Sequence, residues 1–194
     1  MNVVNRAGFR LKTRLLIFFR KQVLRALFHA TARAFGAPVP SLVGLTADEC
    51  LHQYALFTQS QAVAALRRGD DLNALQDRLY RNAYRLGRAC RWIFQPGSVA
   101  DAMAVGRILY RLLDIEFQGD SEGDVVINRC YFSRFYSGQV CQVMSAADRG
   151  VFAGLSNGEQ LVFSARLTEG QACCRAHLNV SGTCILTADH ANFR

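Results

Sequence analysis

Five of the seven cysteines crowd the last third of this 194-residue chain. Cys130, Cys141, Cys173, Cys174 and Cys184 lie there, with Asp148 and His177 among them, while Cys50 and Cys90 come earlier. Thiols, a carboxylate and an imidazole are the side chains that attack electrophilic carbon, carry protons or hold soft metals. If the chain does chemistry, it is expected here. The rest reads as a scaffold preceded by a basic N-terminal arm.

Residue spacing says which of these groups can meet. On an alternating strand Asn128 and Cys130 share one face. Cys141 and Asp148 are seven apart on a helix, so they share a face two turns apart, continued by Phe152. In a later strand Cys174 takes the apolar face with Ala176 and Leu178, and Cys173, Arg175 and His177 take the other. A sheet packed under the helix would be enough to gather Cys130, Cys141, Asp148 and Cys174, though spacing does not give strand order. Each cysteine taken alone reads more readily as a small buried hydrophobe. No CxxC pair occurs and Cys173 and Cys174 point apart, so no structural zinc site is expected, and no cofactor.

Those groups need elements to hold them. Thr46 with Glu49 forms a capping box, and Leu51, Tyr54, Ala55, Phe57, Ala62 and Leu66 recur at helical spacing to Arg68. Gly69 stops that helix and Asp70 or Asp71 caps the next, over 72–94. Its apolar stripe is Leu75, Leu79, Ala83 and Leu86, and its basic stripe Arg78, Arg81, Arg85, Arg88 and Arg91. A charge stripe is ordinarily a solvated face, the alternative being Arg88 or Arg91 as a carboxylate-binding arginine. Pro96 and Gly97 break the helix, and Ser98 starts another to about Leu113. After a turn at 119–123, Val125 to Cys130 or Tyr131 reads as a strand, Ser133 to about Leu155 as a helix, and 161–167 and 172–180 as two alternating strands. Helices followed by strand, helix and two strands give an α+β class: a small, mostly antiparallel sheet packed on helices.

Bulk numbers bound the rest. A chain this long buries a core without staples, and 51% apolar with 20% charged residues excludes a disordered chain. An odd cysteine count with no visible secretory signal favours a reducing cytoplasm over disulfide pairing. The net charge of +8 belongs to residues 1–35, which hold eight basic residues and no acid. From residue 36 onward fifteen basic and fifteen acidic residues cancel, so no nucleic-acid partner is expected. We divide the chain into a basic amphipathic helix and linker over 1–40 and an α+β domain over 41–194. Segment 9–35 has three readings: a core-packing helix, a peripheral contact with the inner membrane face, or a helix binding an acidic partner. Its longest apolar run, 15–19, is too short to span a bilayer.

The stretch Val126-Ile127-Asn128-Arg129-Cys130-Tyr131, then Cys141, Asp148 and Arg166-Leu167-x-x-Gly170-x-x-x-Cys174, resembles the L-2-amino-thiazoline-4-carboxylic acid hydrolase family. Leu51-x-x-Tyr54-Ala55-x-Phe57 and Leu86-Gly87-x-x-x-Arg91 extend the resemblance over roughly residues 46–178. It implies a compact bacterial protein that opens a cyclic isothiourea to N-carbamoyl-L-cysteine, with Cys130, Cys141, Asp148 and Cys174 at the site. The chain departs from the pattern at Tyr131, where many members carry proline, and at Arg175 and Ala176, where many carry an acidic and an aromatic residue. The basic arm is outside the resemblance.

The expected reaction is hydrolysis at an amidine-like carbon of a small-molecule substrate, in the class acting on C–N bonds of cyclic amidines. Cys174 or Cys141 would attack, Asp148 would carry the proton or anchor the amidinium, and Cys130 would support them. Asn128, Arg91 and His177 are the expected substrate-binding residues, although His177 lies on the opposite strand face from Cys174. Two readings compete with the hydrolase. Three cysteines and a carboxylate could hold zinc or iron. Alternatively, the chain is a non-catalytic helical scaffold docked through its basic arm.

Overall fold

Side-chain caps set the helix boundaries. Thr46 Oγ1 accepts from the Glu49 N–H while Glu49 accepts from the Thr46 N–H, which opens α2 (Ala47–Arg68); Gly69 closes it in the left-handed region. Asp71 caps α3 (Leu72–Phe94) and Ser98 caps α4 (Val99–Leu112). The structure is a computed structural model that describes residues 20–179 together with Phe9, Arg14, Leu15 and Phe18. Helix α1 (Arg20–Phe35) precedes these three. Then come β1 (Ile115–Gly119), β2 (Asp124–Cys130), α5 (Gly138–Ser156), β3 (Gln160–Ala165) and β4 (Cys174–Asn179). The class is α+β: five described helices and an antiparallel sheet of order β1-β2-β4-β3.

Two boundaries differ from the sequence reading. Ile115 and Phe117 alternate with Glu116 and Gln118 to make β1, a strand too short to separate from the helix end before it. Residues after Cys130 form a 3₁₀ turn, Tyr131–Arg134, and α5 starts only where Ser137 Oγ accepts from the Val140 N–H.

Helix α1 is a core helix in its described part. Leu24 and Phe28 are each 1% exposed and pack with Leu51, Tyr54 and Phe152 in the main cluster. Arg20 Nε donates to the Leu112 carbonyl at 2.8 Å, and Arg25 to the Leu42 carbonyl at 3.1 Å. The apolar face of α1 is thus spent on the interior, whereas in the arm before it Leu15 and Phe18 are exposed, and Leu11, Leu16, Ile17 and Phe19 lie outside the described residues. No helix among the described residues is long and apolar enough to cross a membrane.

Helices α3 and α5 touch through glycine. A Cβ on Gly87 would sit 2.1 Å from the Val151 carbonyl oxygen, one on Gly150 2.3 Å from that of Tyr80, and one on Gly154 2.3 Å from that of Tyr84. The two backbones approach closely because these positions carry no side chain. This contact fixes α5, and α5 carries Cys141 and Asp148.

Two bulges change the phase of the sheet. Ile127 pairs with Phe117 and Arg129 with Glu116, which leaves Asn128 without a partner. Phe163 pairs with Ala176 and Ala165 with Arg175, which leaves out Ser164. An extra residue in one strand puts two consecutive side chains on the same face and reverses the alternation beyond it.

Candidate functional site

The sheet turns its inner face to α4 and α5, and the predicted groups meet there. Asp148 projects from α5, and Tyr110 Oη on α4 donates to its Oδ1 at 2.5 Å. Burial pushes up the thiols of Cys130, Cys141 and Cys174, and the Asp148 charge pushes each a little further. Cys174 is 7% exposed on β4, and its Sγ accepts from the Leu167 N–H at 3.3 Å. Cys130, Cys141, Asp148 and Cys174 therefore form one interacting set. Three buried tyrosines, Tyr54, Tyr110 and Tyr136, also feel the Asp148 charge. Tyr54 bonds Thr31, and Tyr136 bonds Thr58.

The other three expected residues lie elsewhere. Asn128 is exposed because it alternates with the buried Val125 and Ile127, and the bulge beyond Ile127 turns Cys130 to the inner face, so the two do not share one. His177 is exposed on the outer face of β4, 2.8 Å from Asp124. Arg91 lines a cleft of about 290 Å³ with Pro96, Ser98, Leu155 and Glu159, which shares no residue with the cysteine set. The cleft meets α5 at Leu155, two turns beyond Asp148. Cys50 is buried in the core, Cys173 is half-buried beside the site, and Cys184 lies outside the described residues.

The structure adds Arg166, Thr168 and Tyr110 to the site. Strict alternation along 161–167 puts Arg166 outward with Val162 and Ser164. The Ser164 bulge turns it inward instead, and its side chain is only 16% exposed. Its charge stabilises the Asp148 carboxylate and the Cys141 and Cys174 thiolates. The 3₁₀ turn Leu167–Glu169 then brings Thr168 against Cys141, where its hydroxyl eases the thiol's shift. Tyr110 follows Met103 by two turns on the buried side of α4, the signal that could have found it.

Electrostatics separates the carboxylate from the thiols. Burial raises Asp148 to about 6 from the ordinary 3.8, against the Tyr110 hydrogen bond and Arg166, which lower it. Burial raises Cys130 to about 12, opposed by the backbone N–H groups of Phe132 and Ser133 and reinforced by Asp148. Cys141 rises to about 11 for the same first cause. The thiols are neutral near pH 7, whereas Asp148 exchanges its proton there. No three His, Cys, Asp or Glu side chains among the described residues gather closely enough to hold a metal ion.

A labelling experiment checks this. At pH 7.5 a thiol raised to about 11 is thiolate in roughly one molecule in several thousand, against roughly one in ten for a free cysteine. Iodoacetamide should label Cys130 and Cys141 in the native chain at least about a hundredfold more slowly than in urea, and Cys174 more slowly as well. One of them labelling fast below pH 8, by peptide mass mapping, would instead mark a nucleophile.

No family model matches this sequence, and no curated protein matches it. Among solved structures it is similar to an H-NOX protein from S. oneidensis, crystallised in the Fe(II)NO ligation state. The two are 11% identical with a TM-score of 0.39, over 89% of this chain and 97% of that one. A likeness so loose says nothing about the chemistry of this chain.

Proposed function

We propose that the Asp148 set is a hydrolytic site for a small cyclic amidine or isothiourea, the chemistry implied by the resemblance to L-2-amino-thiazoline-4-carboxylic acid hydrolases. The observation that carries the reading is Asp148 itself. It is a buried carboxyl, raised to about 6, bonded by Tyr110 and felt electrostatically by three thiols. Such a group holds and passes a proton near neutral pH. A protonated amidine would also find its counter-charge there.

The raised thiols favour water over a thiolate as the attacking group. Asp148 takes a proton from water as the oxygen adds to the amidine carbon. The ring C–S bond then breaks as the carbon–oxygen double bond forms, and Asp148 returns the proton to the departing sulfur, releasing a thiol. One water is consumed and Asp148 ends as it began. Cys130, Cys141 and Cys174 stay neutral and wall the reacting carbon from bulk water, while Tyr110 holds the carboxyl in place.

The test is turnover of 2-amino-thiazoline-4-carboxylate, followed through the thiol that ring opening releases. With Asp148 as base, kcat/KM should rise about tenfold per pH unit below about pH 6 and level above it. Absence of thiol release across pH 5–9 would overturn the reading.

A further inference from the structure

We infer that Arg166 and the turn Leu167–Glu169 form a carboxylate subsite beside Asp148, binding an anionic group of the ligand whose amidine end Asp148 meets. The inference rests on the proposed reading for that second half only. Its foundation is two polar atoms in one short stretch. Arg166 Nε and Thr168 Oγ1 are both buried with no hydrogen-bond partner. The Thr168 hydroxyl interacts with the Cys141 thiol, a weak acceptor that leaves it short of a full hydrogen bond. Buried donors are nearly always satisfied, so two orphans two residues apart point to an acceptor that the folded chain does not itself provide.

Surrounding contacts hold the two donors in place. The Leu167 N–H is tied to Cys174 Sγ, and Gln142 Nε2 on α5 donates to Glu169 Oε1 at 3.1 Å. Arg166 stacks its guanidinium 5.3 Å from the Phe163 ring centroid and reaches Glu169 through Nη1 at 3.4 Å. That contact leaves Nε unused, and Nε with an Nη forms the fork that grips a carboxylate side-on. A threonine hydroxyl adds a third donor. Charge favours a monoanion over a phosphate, because Glu169 and Asp148 already place two carboxyl groups near Arg166. The ligand is therefore a small molecule with a carboxylate at one end and a cationic amidine-like group at the other.

Calorimetric titration of the 194-residue chain with three probes tests this. 2-Amino-thiazoline-4-carboxylate carries both groups, 2-amino-thiazoline lacks the carboxylate, and thiazolidine-4-carboxylate lacks the amidine. In the unsubstituted chain, loss of the carboxylate should weaken binding about thirtyfold. In Arg166→Gln the same loss should cost less than about threefold, and Thr168→Val should weaken only the carboxylate probes, by about fivefold. Arg166→Lys, which keeps the charge, should fall between. Binding of thiazolidine-4-carboxylate that Arg166→Gln abolishes would uphold the subsite even if no probe is hydrolysed. Equal weakening of probes with and without a carboxylate, or no binding of either carboxylate probe by the unsubstituted chain, would overturn it.

Discussion

Gly150→Ala is expected to lower stability by about 3 kcal/mol, a fall in Tm of about 6–12 °C. Two effects oppose each other. Alanine is the better helix former by about 1 kcal/mol. Against that, its Cβ would sit 2.3 Å from the Tyr80 carbonyl oxygen, with the Tyr80 carbonyl carbon and Cα at 3.0 Å. These are backbone atoms in the middle of α3, and no rotamer change relieves them. The helices must separate, and the packing of Leu75, Leu79 and Ala83 on α3 loosens with them. Gly97→Ala is the control, because its nearest atom is the Asp101 carboxylate at 3.8 Å. It should stay within about 0.5 kcal/mol of the unsubstituted chain. Urea unfolding followed by far-UV circular dichroism reads both. Equal midpoints for Gly150→Ala and Gly97→Ala would mean that α3 and α5 do not meet as closely as described.

The same contact shows where sequence is informative. Caps act within one turn, so Thr46 with Glu49, Asp71 and Ser98 announce their helices without knowledge of the fold. The buried face of β4, with Cys174, Ala176 and Leu178, follows from alternation because that strand pairs without interruption through Cys174. The inward turns of Arg166 and Cys130 depend instead on bulges at Ser164 and Asn128. A bulge exists only relative to a partner strand, and the order β1-β2-β4-β3 is not written in local periodicity. Arg91 falls outside the cysteine set for a similar reason. Position on a helix face is legible, but Arg91 lies at the α3 end that borders another cleft. The close crossing of α3 and α5 was half legible: Gly87 stands in the quoted motif, but what a side chain there would strike is a property of the partner helix.

Asp148→Asn is expected to stabilise the protein at pH 8 by about 2 kcal/mol while removing at least a hundredfold of the proposed turnover. The folded carboxyl is raised from 3.8 to about 6, so between those values the folded chain binds the extra proton. Stability from this group is therefore full below about pH 4 and is lost as pH rises through 6. Above that, a buried carboxylate costs about 3 kcal/mol relative to its protonated form. Asparagine has the same shape and no charge, and its Oδ1 can still accept from Tyr110. The lost attraction to Arg166 reduces the gain but does not reverse it, because burial is the larger cause of the shift. Urea midpoints at pH 4.5 and pH 8 should differ between the two proteins only at the higher pH. If Asp148→Asn is instead less stable at pH 8, the carboxylate is a structural partner of Arg166 and Tyr110 and the catalytic reading loses its support. If it is more stable yet inactive, the chain keeps an acid that weakens its own fold, and proton transfer is the physical reason to keep it.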